Sequence, residues 1–579
     1  MITKINRKHL ISFSFIICYL SFSVALSSCS DLMDTESEFV EFEENNKLQQ
    51  ATDSVYSVMG IIYKMQAIAD RTVLLGELRG DLTTTTDAAS VDLKAISSFE
   101  VDTKNAYNRI SDYYAIINNC NYFLTHVNKD LVKGGQKVFE DEYAAVKAFR
   151  AWTYLQLALI YGQVPLITEP LLTEEAAQKA MTTNISGIEA ICDYFIKDLT
   201  LNDLEKPYVD MELPNYGKPN WNKFFIPIRA LLGDLCLWAG RYQEAAQYYH
   251  DYLALRTAPI HTWKEKASWY DTETKQFRLA GNSFQFGNND TECLCYIPME
   301  SSEFYGIKSD LLNIFNSTDL NRRYAQVMPT EHLRELSAAS NYCYTYIKID
   351  NSIDTLYAPK ENLTKSDYIG DLRLGTIYTY SANSEGRFPR VSEERQSFEK
   401  YPTNADGVTI YRTNMVYLRY AEALNRAGYP QSAFAVLKYG LYDDILNKWI
   451  DETEREAAGN LIDFDIDLFT KDNTQGIHAR GSGNSECDTL YVLPQPAMEL
   501  DSRQDTVNYQ IPLVEDMIIT EMALEGAFEG YRFYDLMRVA LRRGDNAYLA
   551  DPISLRNGTV DAGLREKLMN KENWYLPLR

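Results

Sequence analysis

The chain has 579 residues, 45% of them hydrophobic and 24% charged, and a formal net charge of -24. A polypeptide of this length can bury a large core and has room for roughly two to four domains. Its acidity argues against nucleic acid as a partner, because phosphates are held by Lys and Arg, and suits uncharged ligands.

The chain opens with Lys4, Arg7 and Lys8, runs uncharged from Leu10 to Leu26 and reaches Ser27-Ser28-Cys29. A basic start, an apolar middle and small residues at the end describe a secretory signal over residues 1–28. A cysteine directly after Leu-Ser-Ser resembles a bacterial lipobox, which implies cleavage before Cys29 and lipid on its sulfur. The alternative is an uncleaved membrane helix of about 17 residues, near the lower limit for a bilayer core of about 30 Å. Loss of the leader removes three basic residues and no acids, bringing the charge to -27. Residues 29–46, with Asp31, Asp34 and Glu36 close behind the cysteine, form a flexible acidic tether.

Helical periodicity begins in Leu48 to Ala69, and Leu74 to Asp87 turns polar and reads as a loop. Asn105 to Leu131 is helical again, with Ile110, Tyr114, Ile117, Cys120 and Leu124 as its stripe. Asp141 to Thr168 is apolar on nearly all sides, so it predicts a central helix surrounded by others. Gly162 and Pro165 end that helix in a short extended run from Val164 to Ile167. Ile188 to Leu204 is a further helix, and Pro207 to Asn220 a turn-rich connection.

Trp221 to Leu255 predicts two helices joined at Ala239-Gly240-Arg241, with Ala230, Gly233, Ala245 and Ala246 allowing close approach. Met415 to Leu441 repeats the design around Ala427-Gly428-Tyr429. Helix, short Gly turn, helix is the tetratricopeptide unit, here irregular in spacing. Between Arg256 and Arg412 the helical rhythm gives way to short strand-like runs (Tyr344 to Ile349, Thr376 to Tyr380) and polar loops. Such a long irregular region on a rigid scaffold is where binding residues gather. The predicted fold is mostly α: a helical-repeat scaffold with a mixed, loop-rich insertion at 256–412 between helical regions 47–255 and 413–579.

Beyond Cys18 and Cys29, seven cysteines remain, an odd number without paired spacing, which is a poor disulfide framework. Cys120, Cys192 and Cys236 fall in helical segments as small apolar groups. Cys293 and Cys295 share one face of a strand, with no histidine close by in sequence to complete a metal site. There is no phosphate loop and no nucleophile elbow, and no cofactor is expected. Arg-Gly-Asp occurs at Arg79 and at Arg543, a poor indicator of adhesion by itself. Arg532 and Asp535 lie within helical reach of Glu529 and Arg538. The chemical reading is an acid/base site; the structural one, which also covers Glu422 beside Arg419, is an ion-pair network.

Five segments together resemble the SusD/RagB family of outer-membrane nutrient-binding lipoproteins. They are the lipobox at Cys29, Ala148 to Tyr154 with Tyr161 to Leu166, Leu418 to Ala423, Ala527 to Leu536, and the closing Trp574-Tyr575-Leu576-Pro577. Their order spans nearly the whole chain; the departure is Glu521-Met522, where a Glu-Arg pair is common. The resemblance implies four tetratricopeptide-like units carrying an irregular ligand-binding half. It also implies a lipid-anchored, non-enzymatic protein on the outer membrane, facing outside the cell. Such a protein captures oligosaccharides for a TonB-dependent SusC-like transporter. Peptide capture is the alternative within the family, and a surface glycoside hydrolase the alternative outside it.

Sugar binding needs an aromatic face against a pyranose and polar groups for its hydroxyls. The candidates are Trp263, Trp269 and Tyr270 in one polar loop, Phe304 and Tyr305 in another, and Arg79, Asp81 and Asp87 in the first loop. For each, the competing reading is local packing.

Overall fold

The computed structural model describes residues 51–180, 182, 185–200, 221–256, 268–271, 276–279, 292–302, 304–315, 326–340, 342–347, 350–358, 371, 373, 407–483 and 488–578. Cys29, the leader, the tether, Trp263 and the predicted strand at Thr376 to Tyr380 lie outside them.

Ten helices build the frame: α1 (Ala51–Glu77), α2 (Ile110–His126), α3 (Glu140–Tyr161), α4 (Ile188–Thr200), α5 (Ile228–Trp238), α6 (Tyr242–Leu255), α7 (Thr413–Arg426), α8 (Pro430–Lys438), α9 (Arg503–Gly526) and α10 (Arg532–Arg543). From Ala144 to Tyr161 every side chain of α3 except Gln156 is buried, so α3 is the expected central helix. Two of its charged groups are met from neighbouring helices. Lys147 Nζ donates to Asp198 O at 2.6 Å, and Arg150 donates to Asn121 Oδ1 and Asp198 Oδ2, both at 3.0 Å. The helix stops at Gly162, and Gln163–Pro165 pairs antiparallel with Ile185–Gly187. The chain's C-terminal stretch docks there, with Leu576 N donating to Ile160 O at 2.9 Å and Trp574 fully buried.

The two predicted helix-turn-helix units are α5–α6 and α7–α8, turning at Gly240 and Gly428. Pairs α2–α3, α5–α6 and α7–α8 pack side by side, and α6 against α7 stacks one unit on the next. One apolar core runs through them all, from Val58 to Leu576. The closest approach is between α1 and the turn ahead of α10. A Cβ at Gly76 would lie 1.8 Å from Gly530 O, so only glycine lets the two backbones meet. Gly530 N there donates to Glu77 Oε1 at 2.8 Å.

The irregular region is tied down by strands. Strands β2 (Cys293–Pro298) and β4 (Gly407–Arg412) pair antiparallel, with Gly407 opposite Pro298 and Arg412 opposite Cys293. Strand β1 (Thr83–Thr85) pairs with β3 (Val327–Pro329), which fastens the insertion to the first helical region. Two hairpins, Ser268–Asp271 with Gln276–Leu279 and Tyr342–Ile347 with Ile353–Ala358, lie in the same region. No helix among the described residues is long and apolar enough to cross a membrane.

Two local expectations need correction. Leu74 to Asp87 is not simply a loop: α1 runs on to Glu77, and Glu77, Arg79 and Asp81 are buried. The buried face of α2 is formed by Tyr113, Ile116, Ile117, Cys120, Asn121 and Phe123, while Tyr114 and Leu124 lie at its margin.

Candidate ligand-binding surface

The best-formed aromatic surface lies where the chain leaving β2 turns back along α1. Gln66, one polar residue on an apolar stretch of α1, reaches out and clamps that turn. Its Nε2 donates to Pro298 O at 2.7 Å and to Tyr305 O at 3.2 Å, and its Oε1 accepts from Ile307 N at 2.9 Å. The turn is closed by Glu300 N donating to Ile307 O and Ser301 N to Phe304 O, each at 2.8 Å. Gly306 has φ 129°, and a Cβ there would sit 2.0 Å from Gln66 Oε1, so the clamp depends on that glycine. On the far side, Asp70 accepts from Ser309 Oγ and Asp310 N, both at 2.7 Å.

Phe304 points inward, stacked on Tyr63 at 5.1 Å and edge-on to Phe224 at 5.6 Å. The next residue, Tyr305, points out and is 73% exposed, beside Ile307 at 47% and Tyr63 at 37%. A tyrosine this exposed on a turn whose backbone is firmly held offers an accessible flat face with a polar edge. Asp70 and the exposed Asp310 lie close enough to Tyr107 to matter electrostatically. Burial raises its phenol to about 12, and Asp310, Asp70 and Asp92 add to the shift. Tyr107 thus stays a neutral hydrogen-bonding hydroxyl near the turn.

The remaining predicted residues are scattered. Trp269 and Tyr270 stand on the hairpin strand Ser268–Asp271, opposite Arg278 and Phe277. Asp87 is exposed, and its backbone carbonyl accepts from Lys94 Nζ at 2.9 Å. Arg79 and Asp81 do not face solvent. Arg79 donates to Leu75 O and Trp574 O, both at 2.7 Å, and its guanidinium lies 4.1 Å from the Phe533 ring centroid. Asp81 accepts from Arg532 Nε at 2.6 Å and Nη2 at 2.8 Å. Burial by itself would raise the Asp81 carboxyl, but Arg532 outweighs it and holds the group far below the usual carboxylate range. The structure therefore brings Phe304 and Tyr305 together and puts Arg79 and Asp81 inside the frame.

Acids and bases elsewhere pair across the frame. Arg538 bridges Glu422 Oε1 at 2.7 Å and Asp535 Oδ1 at 2.9 Å, and Arg419 donates to Asp234 Oδ2 at 2.8 Å rather than to Glu422. Beside them lies a cavity of about 60 Å³, lined by Trp152, Trp238, Tyr411, Arg419 and Asp535 among others.

A second, larger network holds the insertion. Arg412 Nη1 donates to Glu292 Oε2 at 2.6 Å and Glu525 Oε1 at 2.7 Å, and Arg412 Nη2 to Glu529 Oε1 at 2.9 Å. Arg373 joins Asp371 and Glu521, each at 2.7 Å, and Arg480 donates to Glu292 and Glu525. Burial would raise Glu525, but Arg480, Arg412 and Arg373 outweigh it and hold the carboxyl well below its usual range. Glu292, Asp371, Arg373 and Arg412 come from the irregular region and the rest from later elements, so this network fastens that region to α9. Among the described residues no group of His, Cys, Asp and Glu is placed to hold a metal ion. Cys293 and Cys295 are buried in β2 without a disulfide.

Comparison with solved structures identifies the class of fold. A SusD superfamily protein from Bacteroides vulgatus matches with TM-score 0.54 at 14% identity, over 92% of this chain and 96% of that one. A SusD-like carbohydrate-binding protein from Bacteroides fragilis matches with TM-score 0.52 at 16% identity, over 85% and 87%. Another from Bacteroides vulgatus matches with TM-score 0.51 at 16% identity, over 85% and 83%. The chain has the SusD-like fold. No family model matches the sequence, and no curated protein does.

Proposed function

We propose that this protein is a non-enzymatic glycan-binding protein, tethered through a lipid on Cys29 at the outer face of the outer membrane, that captures oligosaccharide and passes it to a TonB-dependent, SusC-like transporter. The observation that carries the binding role is the Tyr305 turn: an exposed tyrosine fixed by Gln66 on one side and Asp70 on the other. Because the backbone of the turn is already held, stacking of a pyranose on the ring pays no cost for ordering the loop. Two of the solved relatives in fold are named as carbohydrate-binding proteins, which supports the same ligand class. The lipobox supports the anchor, and the resemblance of the five segments supports the transporter partner.

The test is retardation in gels containing a panel of polysaccharides, followed by calorimetric titration with oligosaccharides of whichever is bound and with peptides. The expected result is saturable glycan binding without release of reducing sugar. Tyr305→Ala is expected to weaken it at least tenfold, about 1.4 kcal/mol, with the melting temperature unchanged. Binding of peptides alone, or release of reducing sugar from a bound glycan, overturns the reading.

A further inference from the structure

Trp449 is the last residue of the helix Asp443–Trp449, and its side chain is 46% exposed. Tryptophan is highly buried on average, so an indole left half in water at a fixed position calls for an explanation. The position is fixed by a column of rings. Trp449 lies parallel to Tyr439, with centroids 4.9 Å apart and planes 12° apart. Tyr439 meets Phe434 edge-on at 6.2 Å, Phe434 stacks on Tyr491 at 5.6 Å, and Tyr491 stacks on His478 at 3.7 Å. His478 is itself held by Glu521 Oε1 at 2.6 Å. The indole is thus the surface end of a stack rooted in the buried ion network.

The backbone beside it is pinned as well. Ile450 is buried, and Asp451 and Gln431 exchange hydrogen bonds, Asp451 N donating to Gln431 Oε1 at 2.7 Å. Tyr439 covers one face of the indole and the Lys448 ammonium stands over the ring 4.9 Å from its centroid, so what reaches solvent is the rest of the ring with a flexible donor lying on it. Asp443 and Asp444 are exposed on the same helix, in a chain of net charge -24, and both repel an acidic ligand. A flat ring held by stacking and carrying a flexible ammonium donor fits a pyranose, and the acids of the same helix with the chain's net charge of -24 favour a neutral sugar over a uronate or a sulfated one.

We propose that Trp449 is a second sugar-stacking platform, for neutral pyranose units of a polysaccharide, separate from the Tyr305 turn. The inference rests on the glycan-binding reading. The two platforms stand on different elements, Tyr305 against α1 and Trp449 against the turn after α8, and a polysaccharide long enough to reach both would gain by multivalency.

The experiment uses the mature protein in gels containing starch, xyloglucan, galactomannan or mixed-linkage β-glucan, with pectin and hyaluronan as acidic probes. Trp449→Ala, Tyr305→Ala and the double variant are compared, with Trp449→Phe as a conservative control and circular dichroism to confirm folding. On a neutral polysaccharide that retains the wild type, Trp449→Ala is expected to weaken retention about tenfold. Trp449→Phe should recover part of it. Affinity for a short oligosaccharide of the same polymer should fall only with Tyr305→Ala. Retention of Trp449→Ala equal to wild type, with Tyr305→Ala impaired, overturns this inference and leaves the binding role standing. Retention on pectin or hyaluronan alone overturns the neutral-sugar assignment. A protein retained by none of the gels overturns both.

Discussion

The irregular region contains two kinds of polar surface that look alike in sequence and behave oppositely in the fold. Glu292, Asp371, Arg373 and Arg412 are buried, and each has an opposite charge within hydrogen-bonding reach. Tyr305, from the same region, is displayed to solvent by a turn whose own backbone groups are satisfied by Gln66. The first set fixes where the loops run, and the second is left free to meet something. Charge therefore fastens the irregular region to the helical frame, and what that region displays at this turn is a ring. That division fits an uncharged ligand, which gains more from stacking and hydroxyl contacts than from ion pairs.

The largest effect should come from breaking the buried network at its hub. Glu525 touches Arg412, Arg373 and Arg480, so Glu525→Ala leaves three guanidinium groups short of a counter-charge. Removing one partner of a buried ion pair costs about 3–5 kcal/mol. Urea melts should show a loss of that size, together with release of the β2–β4 region to limited proteolysis. A loss below about 1 kcal/mol, the range of exposed pairs, would remove the network from its role as the fastening.

Stability should also change with pH through His478. Burial lowers the imidazole, but Glu521, Asp488 and Asp371 around it outweigh that and raise it from 6.5 to about 9. A raised folded-state value means that the stabilisation is complete below pH 6.5 and is lost as the pH climbs through about 9. The shift corresponds to about 3 kcal/mol. Melts between those limits should show wild-type stability falling with pH, and His478→Gln should flatten that slope while lowering stability at the acidic end. An equal slope in both proteins would assign the dependence to other groups.

What the sequence discloses follows from how locally each feature is determined. The central helix is legible because its environment is nearly uniform: Ala144 to Tyr161 is buried except at Gln156, so a pattern apolar on nearly all sides has one reading. The face of α2 is less so, since Tyr114 and Tyr113 are adjacent and only the packing partners decide which ring goes inside. Arg79 and Asp81 read as ligand-facing because they lie in a polar first loop that the family resemblance turns toward the ligand. Their partners, Trp574 and Arg532, lie more than four hundred positions away, and no local pattern reports them. Gln66 was missed for the same reason, although a single glutamine on an apolar helix stretch was the available signal. The exposure of Tyr305 is legible because a Phe-Tyr-Gly turn flanked by polar residues is a local feature.

Trp269 provides the sharpest comparison, because it stands in the irregular region on a hairpin rather than on the clamped turn. Its strand partner is Arg278, and the hairpin Ser268–Asp271 with Gln276–Leu279 is short, so its backbone alone contributes little stability. Trp269→Ala is expected to weaken glycan capture at least tenfold, about 1.4 kcal/mol, with the melting temperature held. If the ring instead serves the frame, as Phe304 does, the same substitution lowers the melting temperature and leaves affinity unchanged, because truncating a packed aromatic costs about 3–5 kcal/mol. The two outcomes separate in a single pair of measurements, calorimetric titration with the bound oligosaccharide and a thermal melt. They decide whether the ligand surface extends from Tyr305 to the hairpin or is confined to the edge of α1.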